Sequence, residues 1–509
     1  MAEYTDVIVG AGSTGGVIAS RLSADPQRRV LLIEAGPDFP SDRLPADVFD
    51  GLYPSFSEHD WGYSAEAVPG RSIPMARGKL VGGCSAINTS LAVRPDPQDL
   101  DEWAASGLRG WGWNDMLPYF KRLEDDQDFP DHPHGSGGPI PVRRWRDEEF
   151  LPLQRAMLDA CTELGFARIP DLNGAPGDGI AVLPQNLRNG QRVSVALAYL
   201  DPARGRDNLE ILPDSTVDRV LFDGRRATGV QVVTGGRTRT ISGDRIILSA
   251  GAIGTPAILL RSGIGPADTL GRLGVPTVAE LRGVGQNLLD HPACLVTVEP
   301  QPGVIDPKDP VCQTLLRYTA PGSAERDDMQ MYLYSRIDLS GYATDLLEDA
   351  GNRFAFMLSV GIERPRSRGQ VTIDSVDPAA APRIELNYLS DPEDLRRMRE
   401  GLRLAWSLAQ RPELQKYTKR IVAPDEDTFR SDESVDAYAL ASATTHYHPA
   451  GTARMGVEGD PDAVVDDRGQ VFGVQNLRVA DASIMPTMIR ANTNLTCIAI
   501  GERFAEWLR

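Results

Sequence analysis

The sequence is poor in cysteine and has no excess of positive charge. Its five cysteines among 509 residues are scattered without any CxxC spacing, so neither a disulfide framework nor a zinc site is indicated. We therefore expect free, mostly buried thiols in a reducing, cytoplasmic setting. Acidic residues outnumber basic ones by 71 to 53, and the net charge of −18 disfavours a nucleic-acid partner or an anionic membrane surface.

Long hydrophobic runs are also missing. The most apolar stretch, residues 246–260, is interrupted by Ser249, Gly251 and Pro256, and no run reaches the roughly 18 residues that span a bilayer. The first predicted strand begins at residue 4, which leaves no room for a signal peptide. The length is sufficient for two or three domains, and 41% hydrophobic residues is ordinary for a soluble globular protein.

Histidine is scarce as well, and two of the six histidines share one loop. His132 and His134 lie in a polar segment rich in glycine and proline, residues 125–138. Neither a cysteine nor a further histidine stands at ligand spacing. We therefore expect a solvated loop there, and the sequence predicts no metal site.

The N-terminal residues contain a strand, a glycine-rich turn, a helix and a second strand. Residues 4–9 are rich in β-branched side chains and predict a buried strand, and residues 29–33 predict the second, which ends in Glu34. Gly10 allows the tight turn, Gly12 removes a side chain that would block a pyrophosphate, and Gly15 lets the helix lie close to the sheet.

This pattern predicts a dinucleotide site. The helix N-terminus offers free N–H groups and a partial positive charge to phosphates. Glu34 lies about 24 residues after Gly10, close to the spacing at which a carboxylate binds a ribose hydroxyl pair. A carboxylate there argues against a 2′-phosphorylated nucleotide. The pattern alone does not separate FAD from NAD.

Two further stretches favour close approach of backbone to a ligand. Residues 76–88 place glycines at 78, 82 and 83 before small residues, and Asn88 either donates to a ligand or caps the following turn. Residues 249–265 predict the end of a strand, a small-residue turn, a helix and a glycine stop.

The rest of the chain predicts alternating sheet and helix segments. From about residue 300 to 440 the sequence shows strand-like runs and a long helical stretch, and we interpret this part as a separate substrate-side domain. Helices are expected over residues 99–123, 149–165, 391–410 and 495–508, a β-meander over residues 209–248, and strands over residues 330–334, 355–360 and 477–480.

Several long motifs occur in a fixed order over nearly the whole length. Besides the N-terminal glycine pattern they are residues 77–88, 250–266, 283–292, 448–452 and 492–494. Together they resemble the glucose–methanol–choline (GMC) family of FAD-dependent oxidoreductases. The resemblance implies an α/β fold, α+β overall. It implies a Rossmann-like FAD-binding domain built from residues 1–145, 200–298 and 445–509, and a substrate-binding domain, residues 146–199 and 299–444, with a mainly antiparallel sheet flanked by helices.

The resemblance also implies an activity. An alcohol would be oxidised to an aldehyde or ketone, with hydride passing to flavin N5, His448 acting as base and Asn492 positioning the substrate oxygen. His446 is the rival base, with the poorer match to the motif. Dioxygen or another acceptor would reoxidise the flavin. Ile87 stands where some relatives carry a histidine bonded to FAD, so non-covalent FAD is expected.

The glycine motifs and the resemblance together nominate the residues that contact FAD. Glu34 is expected at the ribose, Val217 at the adenine through its backbone, and Asp481 and Ala482 near the pyrophosphate and ribityl chain. The full set is Gly10, Gly12, Ser13, Thr14, Gly15, Glu34, Ala35, Trp61, Arg77, Leu80, Gly82, Gly83, Asn88, Val217, Ala250, Gly251, Tyr447, Asp481, Ala482, Asn492 and Thr493.

Other interpretations remain open at this point. Asn492 is also a favoured cap for the last helix, and His448 is also readable as a hydrogen-bonded core histidine. An FAD-containing enzyme similar to hydroxynitrile lyases, without net redox, is the alternative function. A non-catalytic FAD-binding protein is a third, and the intact His–Asn pair argues against it. The sequence names neither the alcohol, the electron acceptor nor the oligomeric state. Residues 300–330 offer no clear lid pattern, so it stays open whether a lid over residues 300–340 gates access.

Overall fold

The structure, a computed structural model, describes residues 2–129, 131, 133–174, 176–341 and 353–509. It is a mixed α/β fold with several sheets, as the sequence predicts. Of the two loop histidines, His132 lies outside the described residues.

The described residues form strands along the whole chain. They are β1 (Tyr4–Val9), β2 (Val30–Ile33), β3 (Tyr63–Val68), β4 (Arg71–Met75), β5 (Glu124–Asp126), β6 (Ile140–Val142), β7 (Gly179–Val182), β8 (Leu187–Arg188), β9 (Gln191–Arg192), β10 (Leu209–Leu212), β11 (Ser215–Asp223), β12 (Arg226–Thr234), β13 (Arg237–Leu248), β14 (Ile264–Gly265), β15 (Ala279–Glu280), β16 (Pro292–Pro300), β17 (Thr314–Tyr318), β18 (Met329–Asp338), β19 (Phe354–Ile362), β20 (Gln370–Thr372), β21 (Arg383–Glu385), β22 (Thr418–Ala423), β23 (Thr444–Thr445) and β24 (Leu477–Val479).

The α-helices are α1 (Gly15–Leu22), α2 (Ala46–Phe49), α3 (Pro97–Ala105), α4 (Trp113–Leu123), α5 (Pro152–Glu163), α6 (Gly251–Arg261), α7 (Ala267–Leu273), α8 (Pro392–Ala409), α9 (Pro412–Gln415), α10 (Asp432–Ser442) and α11 (Thr493–Trp507). Short 3-10 segments are Ser41–Arg43, Gly83–Ala86, Asp147–Glu149, Asp201–Ala203, Leu339–Gly341, Glu426–Arg430 and Ala482–Ile484, and Ala196–Leu200 forms a π turn. No described helix is both long and apolar enough to cross a bilayer.

The first sheet has the strand order β10-β2-β1-β13-β12-β11, with β24 paired to β13. Its centre is parallel: Val7 pairs with Leu31 of β2 and with Ile246 of β13. These side chains are fully buried, which explains the continuous apolar runs in the sequence. Parallel pairing brings the carboxyl ends of β1, β2 and β13 to one edge, where the glycine turns lie.

Strand β13 belongs to two pairing systems. Its first half pairs antiparallel with β12, and its second half pairs parallel with β1 and β24. The meander expected over residues 209–248 therefore consists of β11, β12 and β13 only. That expectation was wrong for β10, which pairs in parallel with β2, Leu209 opposite Val30. A short apolar run does not reveal its partner strand, so the sequence offered no signal for this pairing.

The second sheet is antiparallel, in the order β22-β16-β19-β18-β17-β7, and β23 pairs with β16. Helix α8 packs against it through Met398, Leu402 and Ala405. A Cβ at Gly401 would lie 2.4 Å from Val360, so glycine lets the helix approach the sheet this closely. The mainly antiparallel sheet flanked by helices is confirmed.

The sheets also bear on the domain boundaries. Strand β16 lies wholly in the second sheet, although the expected boundary at residue 298 would cut it. A small third sheet, β20-β21-β3-β4, combines strands from both expected domains. We propose that the FAD-binding domain ends its middle segment before Pro292, and that the other boundaries stay as the sequence predicts.

The helical pattern expected over residues 99–123 corresponds to two helices, α3 and α4. Glycines at 107 and 110 adopt φ values of +98° and +82° between them, a conformation that ends a helix. All five cysteines are free thiols, as expected. Four of them are buried, and Cys84 is partly exposed.

Arg192 is a fully buried cation that joins the motif at residues 76–88 to the segment containing α2. Its guanidinium donates to the backbone oxygens of Asn88 (2.8 Å), Ala86 (2.7 Å) and Tyr53 (2.7 Å), and also to those of Asp47 and Val48. Burial lowers the pKa of Arg192 to about 10. Five carbonyl groups therefore depend on one side chain for their hydrogen bonds.

We predict that Arg192→Met lowers the free energy of unfolding by roughly 3–5 kcal/mol, because buried carbonyls without donors each cost about 1–3 kcal/mol. Arg192→Lys should recover part of this loss, since lysine keeps the charge and three donors. Chemical denaturation and thermal melting measure the effect, with the exposed neighbour Arg188→Met as the matched control. Equal melting temperatures for Arg192→Met and Arg188→Met would contradict this role.

Candidate active site

A cavity of about 1160 Å³ lies at the carboxyl edge of the parallel strands and extends toward the second sheet. Most residues nominated from the sequence line it. They are Gly10, Gly12, Ser13, Thr14, Glu34, Ala35, Trp61, Arg77, Gly83, Asn88, Val217, Ala250, Gly251, Tyr447, His448, Asp481, Ala482, Asn492 and Thr493.

Three nominated residues do not line the cavity. A Cβ at Gly15 would lie 2.0 Å from the oxygen of Gly10, so this glycine serves the packing of α1 on the turn. Gly82 donates its N–H to the oxygen of Ala11 at 2.8 Å and thereby holds the second glycine motif against the first. Leu80 is buried in a small cluster with Val48.

The lining fits a dinucleotide. A Cβ at Gly12 or Gly251 would meet no protein atom within 4 Å, so the space beside both glycines belongs to the cavity. Glu34 is buried at the end of β2, and its carboxylate accepts the N–H groups of Ala11 and Gly36, each at 3.0 Å. Burial raises the pKa of Glu34 to about 7, against the lowering effect of those N–H groups.

Asn88 and Asp481 both have structural partners. The Asn88 side chain accepts the N–H of Ser90 at 2.9 Å, so the capping contact is present, and the residue lines the cavity as well. Asp481 accepts the N–H of Gly251 at 2.9 Å and the hydroxyl of Thr255 at 2.6 Å. It therefore fixes the turn that begins α6.

His448 and Asn492 meet at the cavity wall. The Asn492 Nδ2 group donates to His448 Nε2 at 3.1 Å, and both side chains are about nine-tenths buried. The two residues are 44 positions apart in the chain. Strand β23 leads into His448, and the start of α11 supplies Asn492.

Asn492 occupies the N-cap position of α11, as expected, but its side chain makes no capping hydrogen bond. Its Oδ1 instead accepts the hydroxyl of Tyr332 at 3.1 Å. The capping interpretation is therefore wrong for the side chain, because the two ends of the amide bond Tyr332 and His448 instead.

His291 contacts the Nδ1 side of His448, opposite the side that Asn492 contacts. It was not nominated as a site residue from the sequence, although it lies within the motif of residues 283–292. The Nδ1 atoms of His291 and His448 are 2.8 Å apart, and His291 Nε2 lies 2.9 Å from the oxygen of Ile489. Burial lowers the pKa of His291 to about 4 and lowers that of His448 well below its ordinary value. Both rings are therefore neutral near pH 7.

His446, the rival base, has both ring nitrogens engaged inside the protein. Its Nδ1 lies 2.9 Å from Gln330 Nε2, and its Nε2 lies 2.8 Å from Ser359 Oγ. Burial also lowers the pKa of His446 to about 3. Neither contact of His446 involves Asn492, so the structure pairs Asn492 with His448 and not with His446.

A glycine-lined cavity of dinucleotide size that ends at a neutral His–Asn pair is typical of one class of protein, the oxidoreductases that use a nucleotide cofactor. Comparison with known proteins makes the assignment specific. The family described as GMC oxidoreductase matches residues 4–293 with its N-terminal part and residues 365–501 with its C-terminal part. The chain belongs to the GMC oxidoreductase family.

Curated relatives cover almost the whole chain. An oxygen-dependent choline dehydrogenase of Yersinia pseudotuberculosis is 36% identical, with 100% of this chain and 94% of the relative aligned. A 5-(hydroxymethyl)furfural oxidase of Methylovorus sp. is 36% identical over 98% and 97%. Among solved structures, a pyridoxine 4-oxidase from Mesorbium loti has a TM-score of 0.90 at 33% identity and covers 99% of both chains.

These relatives establish the reaction class. The protein is an FAD-dependent oxidoreductase that acts on the CH–OH group of alcohols. The comparisons give no support to the lyase alternative.

A second cluster of titratable side chains lies away from the cavity. Ligand-type atoms of Glu124, Asp126 and His134 lie within 4.8 Å of one another. Guanidinium groups already occupy the carboxylates, because Arg94 pairs with Glu124, and Arg144 binds both oxygens of Asp126 at 2.9 Å. The cluster is thus compensated by protein cations.

His134 is the part of this cluster that the sequence described wrongly. It was expected in a solvated loop, but its side chain is buried, with Nε2 2.8 Å from Asp171 and Nδ1 3.1 Å from Asp126. Burial lowers its pKa, but the hydrogen bonds to Asp126, Asp171 and Glu124 outweigh this and raise the pKa to about 10. Glu124 and Asp126 stand in β5 at the start of this loop, and Asp171 lies 37 residues further along the chain than His134. The composition of the loop does not show that these groups enclose the His134 ring.

This raised pKa predicts a pH-dependent contribution to stability. The contribution is fully present below the ordinary histidine pKa of about 6.5 and is lost as pH rises through about 10. The melting temperature of His134→Gln should lie at least about 2 °C below wild type near pH 6.5, and the difference should shrink toward pH 10. His59→Gln, at a partly buried histidine, is the control. A difference that stays constant from pH 6.5 to 10 would exclude titration of His134.

Proposed function

We propose that His448 accepts the hydroxyl proton of the alcohol while Asn492 holds the oxygen. The observation that supports this most directly is the 3.1 Å contact between the two side chains at the cavity wall. FAD, when bound, accepts hydride from the alcohol carbon. The protein has to take only the proton from oxygen, and a neutral imidazole is suited to that task.

The proposed base needs a free lone pair in the resting state. Burial keeps His448 neutral, and its Nε2 faces the donor amide of Asn492. An alcohol that binds between them would donate its O–H to Nε2 and accept an N–H from the amide. A general base of this kind contributes about 10²–10⁴-fold in rate.

Asn492 also marks the start of α11. The N-terminus of this 15-residue helix places partial positive charge beside the same part of the cavity. We propose that this charge favours the reduced, anionic flavin, while the amide fixes the substrate oxygen.

The cofactor contacts follow the lining of the cavity. We propose Glu34 at the ribose, the backbone of Val217 at the adenine, and Asp481 and Ala482 near the pyrophosphate and ribityl chain. Ile87 lines the cavity and carries no nucleophilic atom, which supports non-covalent FAD.

We further propose dioxygen as the electron acceptor and the cytoplasm as the location. The names of the relatives, an oxygen-dependent dehydrogenase and two oxidases, support the first proposal. Five free cysteines support a reducing compartment.

The lining near His448 favours a flat, uncharged substrate. The Tyr332 and Tyr334 rings are parallel with centroids 5.7 Å apart, and Phe56 and Tyr447 lie 4.8 Å apart. Such surfaces stack on planar rings. Two of the relatives act on ring-bearing alcohols, hydroxymethylfurfural and pyridoxine.

The charges around this lining disfavour a cationic alcohol such as choline. The carboxylate of Asp338, on the same strand as the two tyrosines, is held by Arg353 at 2.6 Å. Arg336 covers the ring of Tyr53 at 4.2 Å. A quaternary ammonium would therefore meet a positive charge on an aromatic face that it would otherwise use.

We predict that 5-(hydroxymethyl)furfural or pyridoxine reduces the flavin at least about tenfold more efficiently than choline, a difference of roughly 1.4 kcal/mol. A panel of the three alcohols measures this, with anaerobic bleaching for reduction, and hydrogen peroxide release compared with dye reduction for the acceptor. Choline as the best of the three substrates would reject the substrate class, and dye reduction without peroxide would reject dioxygen.

We predict that His448→Ala retains FAD but reduces it about 10²–10⁴-fold more slowly than wild type, because the alcohol proton then has no acceptor. Rapid mixing with alcohol under anaerobic conditions measures the rate, and visible absorbance measures bound FAD. His446→Gln is the matched variant, and its rate should fall far less. Flavin reduction near the wild-type rate in His448→Ala would refute the assignment, as would a greater loss in His446→Gln.

A further inference from the structure

Behind the proposed base lies a second buried histidine that the reaction described so far does not use. His291 is fully buried at the end of the motif of residues 283–292. It lies between the carbonyl of Ile489 and the ring of His448. A hydrogen-bond chain therefore runs from a backbone oxygen through two imidazoles to the amide of Asn492.

The carbonyl at the start of this chain decides where the protons lie. A carbonyl oxygen only accepts, so His291 Nε2 carries a hydrogen and donates it to Ile489. In a neutral imidazole the other nitrogen is then bare. His291 Nδ1 consequently accepts a hydrogen bond from His448 Nδ1, 2.8 Å away.

The consequence for His448 is a single tautomer. With its hydrogen on Nδ1, its Nε2 presents a lone pair toward Asn492 and the cavity. In the opposite tautomer Nε2 would carry a hydrogen facing the amide N–H, and two bare Nδ1 atoms would face each other at 2.8 Å. The network as a whole therefore excludes the tautomer that cannot accept a proton from an alcohol.

The surroundings keep His291 neutral in the resting state. Its nearest carboxyl group is that of Glu363, with Oε1 3.6 Å from His291 Nδ1, and burial raises the pKa of Glu363 well above its ordinary value. Asp290 accepts the backbone N–H groups of His291 at 2.9 Å and His448 at 2.7 Å, so it fixes the two backbones. The backbone of Glu363 also bonds the His291 ring and raises its pKa, but burial outweighs both backbone contacts and lowers the pKa to about 4.

We propose that His291 is a positioning residue for proton transfer, which holds His448 as the Nδ1–H tautomer so that Nε2 receives the alcohol proton. The inference rests on the proposed role of His448 as the base. In the step itself the O–H bond breaks, the new N–H bond forms at Nε2, and the electron pair of the C–H bond leaves with the hydride. The Nδ1–H···Nδ1 bond strengthens as His448 becomes an imidazolium, since a charged donor binds its acceptor more strongly.

Two substitutions of His291 separate positioning from a merely structural role. In His291→Phe both polar contacts are lost, and flavin reduction at saturating alcohol should fall about 10- to 100-fold, as for other residues that orient a reacting histidine. The dissociation constant for the alcohol should change little, because His291 does not face the substrate. In His291→Gln the amide can donate to Ile489 and accept from His448, so part of the lost rate should return.

The tautomer itself is measurable without turnover. In FAD-loaded protein with ¹⁵N-labelled histidine, long-range ¹H–¹⁵N spectra should show His448 with a protonated Nδ1 and a bare Nε2, assigned among the six histidines by its absence from His448→Gln. The same pattern should persist in His291→Gln and be lost in His291→Phe. His134→Gln, which removes a buried histidine outside the cavity, should leave both the rate and the pattern unchanged.

Three results would overturn the proposal. The first is a wild-type spectrum in which His448 carries its hydrogen on Nε2. This test needs only the wild-type protein, so it remains decisive even if no His291 variant folds. Another is a folded, FAD-loaded His291→Phe with wild-type reduction. The third is a loss of activity in both variants that merely follows loss of FAD. Failure of the base assignment would be distinct, because His448→Ala would then reduce FAD at the wild-type rate.

Discussion

The docking of the last helix on the first is the contact on which the site depends. The Ser13 hydroxyl donates to Asn494 at 2.8 Å, and the Thr14 hydroxyl donates to the oxygen of Cys497 at 2.9 Å, across more than 480 residues of sequence. A Cβ at Gly501 would lie 2.8 Å from that of Val17, so α1 and α11 pack as closely as glycine allows. Because Asn492 stands at the N-cap of α11, this packing sets the distance between the glycine turn after β1 and the His448–Asn492 pair.

A second joint, at Asp290, links the second sheet to that site. Its carboxylate accepts N–H groups from His291 and His448 and hydroxyl groups from Tyr388 and Thr445, the latter two at 2.6 Å each. Four donors offset the cost of burying the charge, although burial still raises the pKa of Asp290. The joint holds the start of β16 and the end of β23 together, so the proposed base cannot move independently of the second sheet.

The sequence was informative wherever a local pattern had one physical solution. The strand, glycine turn and helix at residues 4–22 need no distant partner to be recognised, and the final helix was correctly expected to begin near Asn492. The same reasoning failed where a distant partner decides. Leu209–Leu212 was extended as expected but paired with β2, and the buried ring of His134 contacts Asp171, which lies 37 residues further along the chain.

The missed role of His291 has the same cause. Nothing in its local sequence shows that the ring of a residue 157 positions later lies 2.8 Å away, and only the three-dimensional contact turns a motif residue into part of the site. Asn492 is the opposite case. Its position at the start of α11 was predicted correctly, but its side chain contacts Tyr332 and His448 and does not cap the helix.

Burial creates a conflict at His448 that the surrounding hydrogen bonds resolve. The same exclusion of water that keeps the imidazole neutral lowers its pKa and so weakens it as a base. An acceptor on its far nitrogen works in the opposite direction, since it stabilises the protonated ring only once the proton has arrived. The carbonyl of Ile489 supplies this through His291 without introducing a permanent charge, which a carboxylate in the same position would do. A neutral acceptor thus adds no charge to the resting site and acts mainly in the proposed proton transfer, in which the imidazole becomes charged.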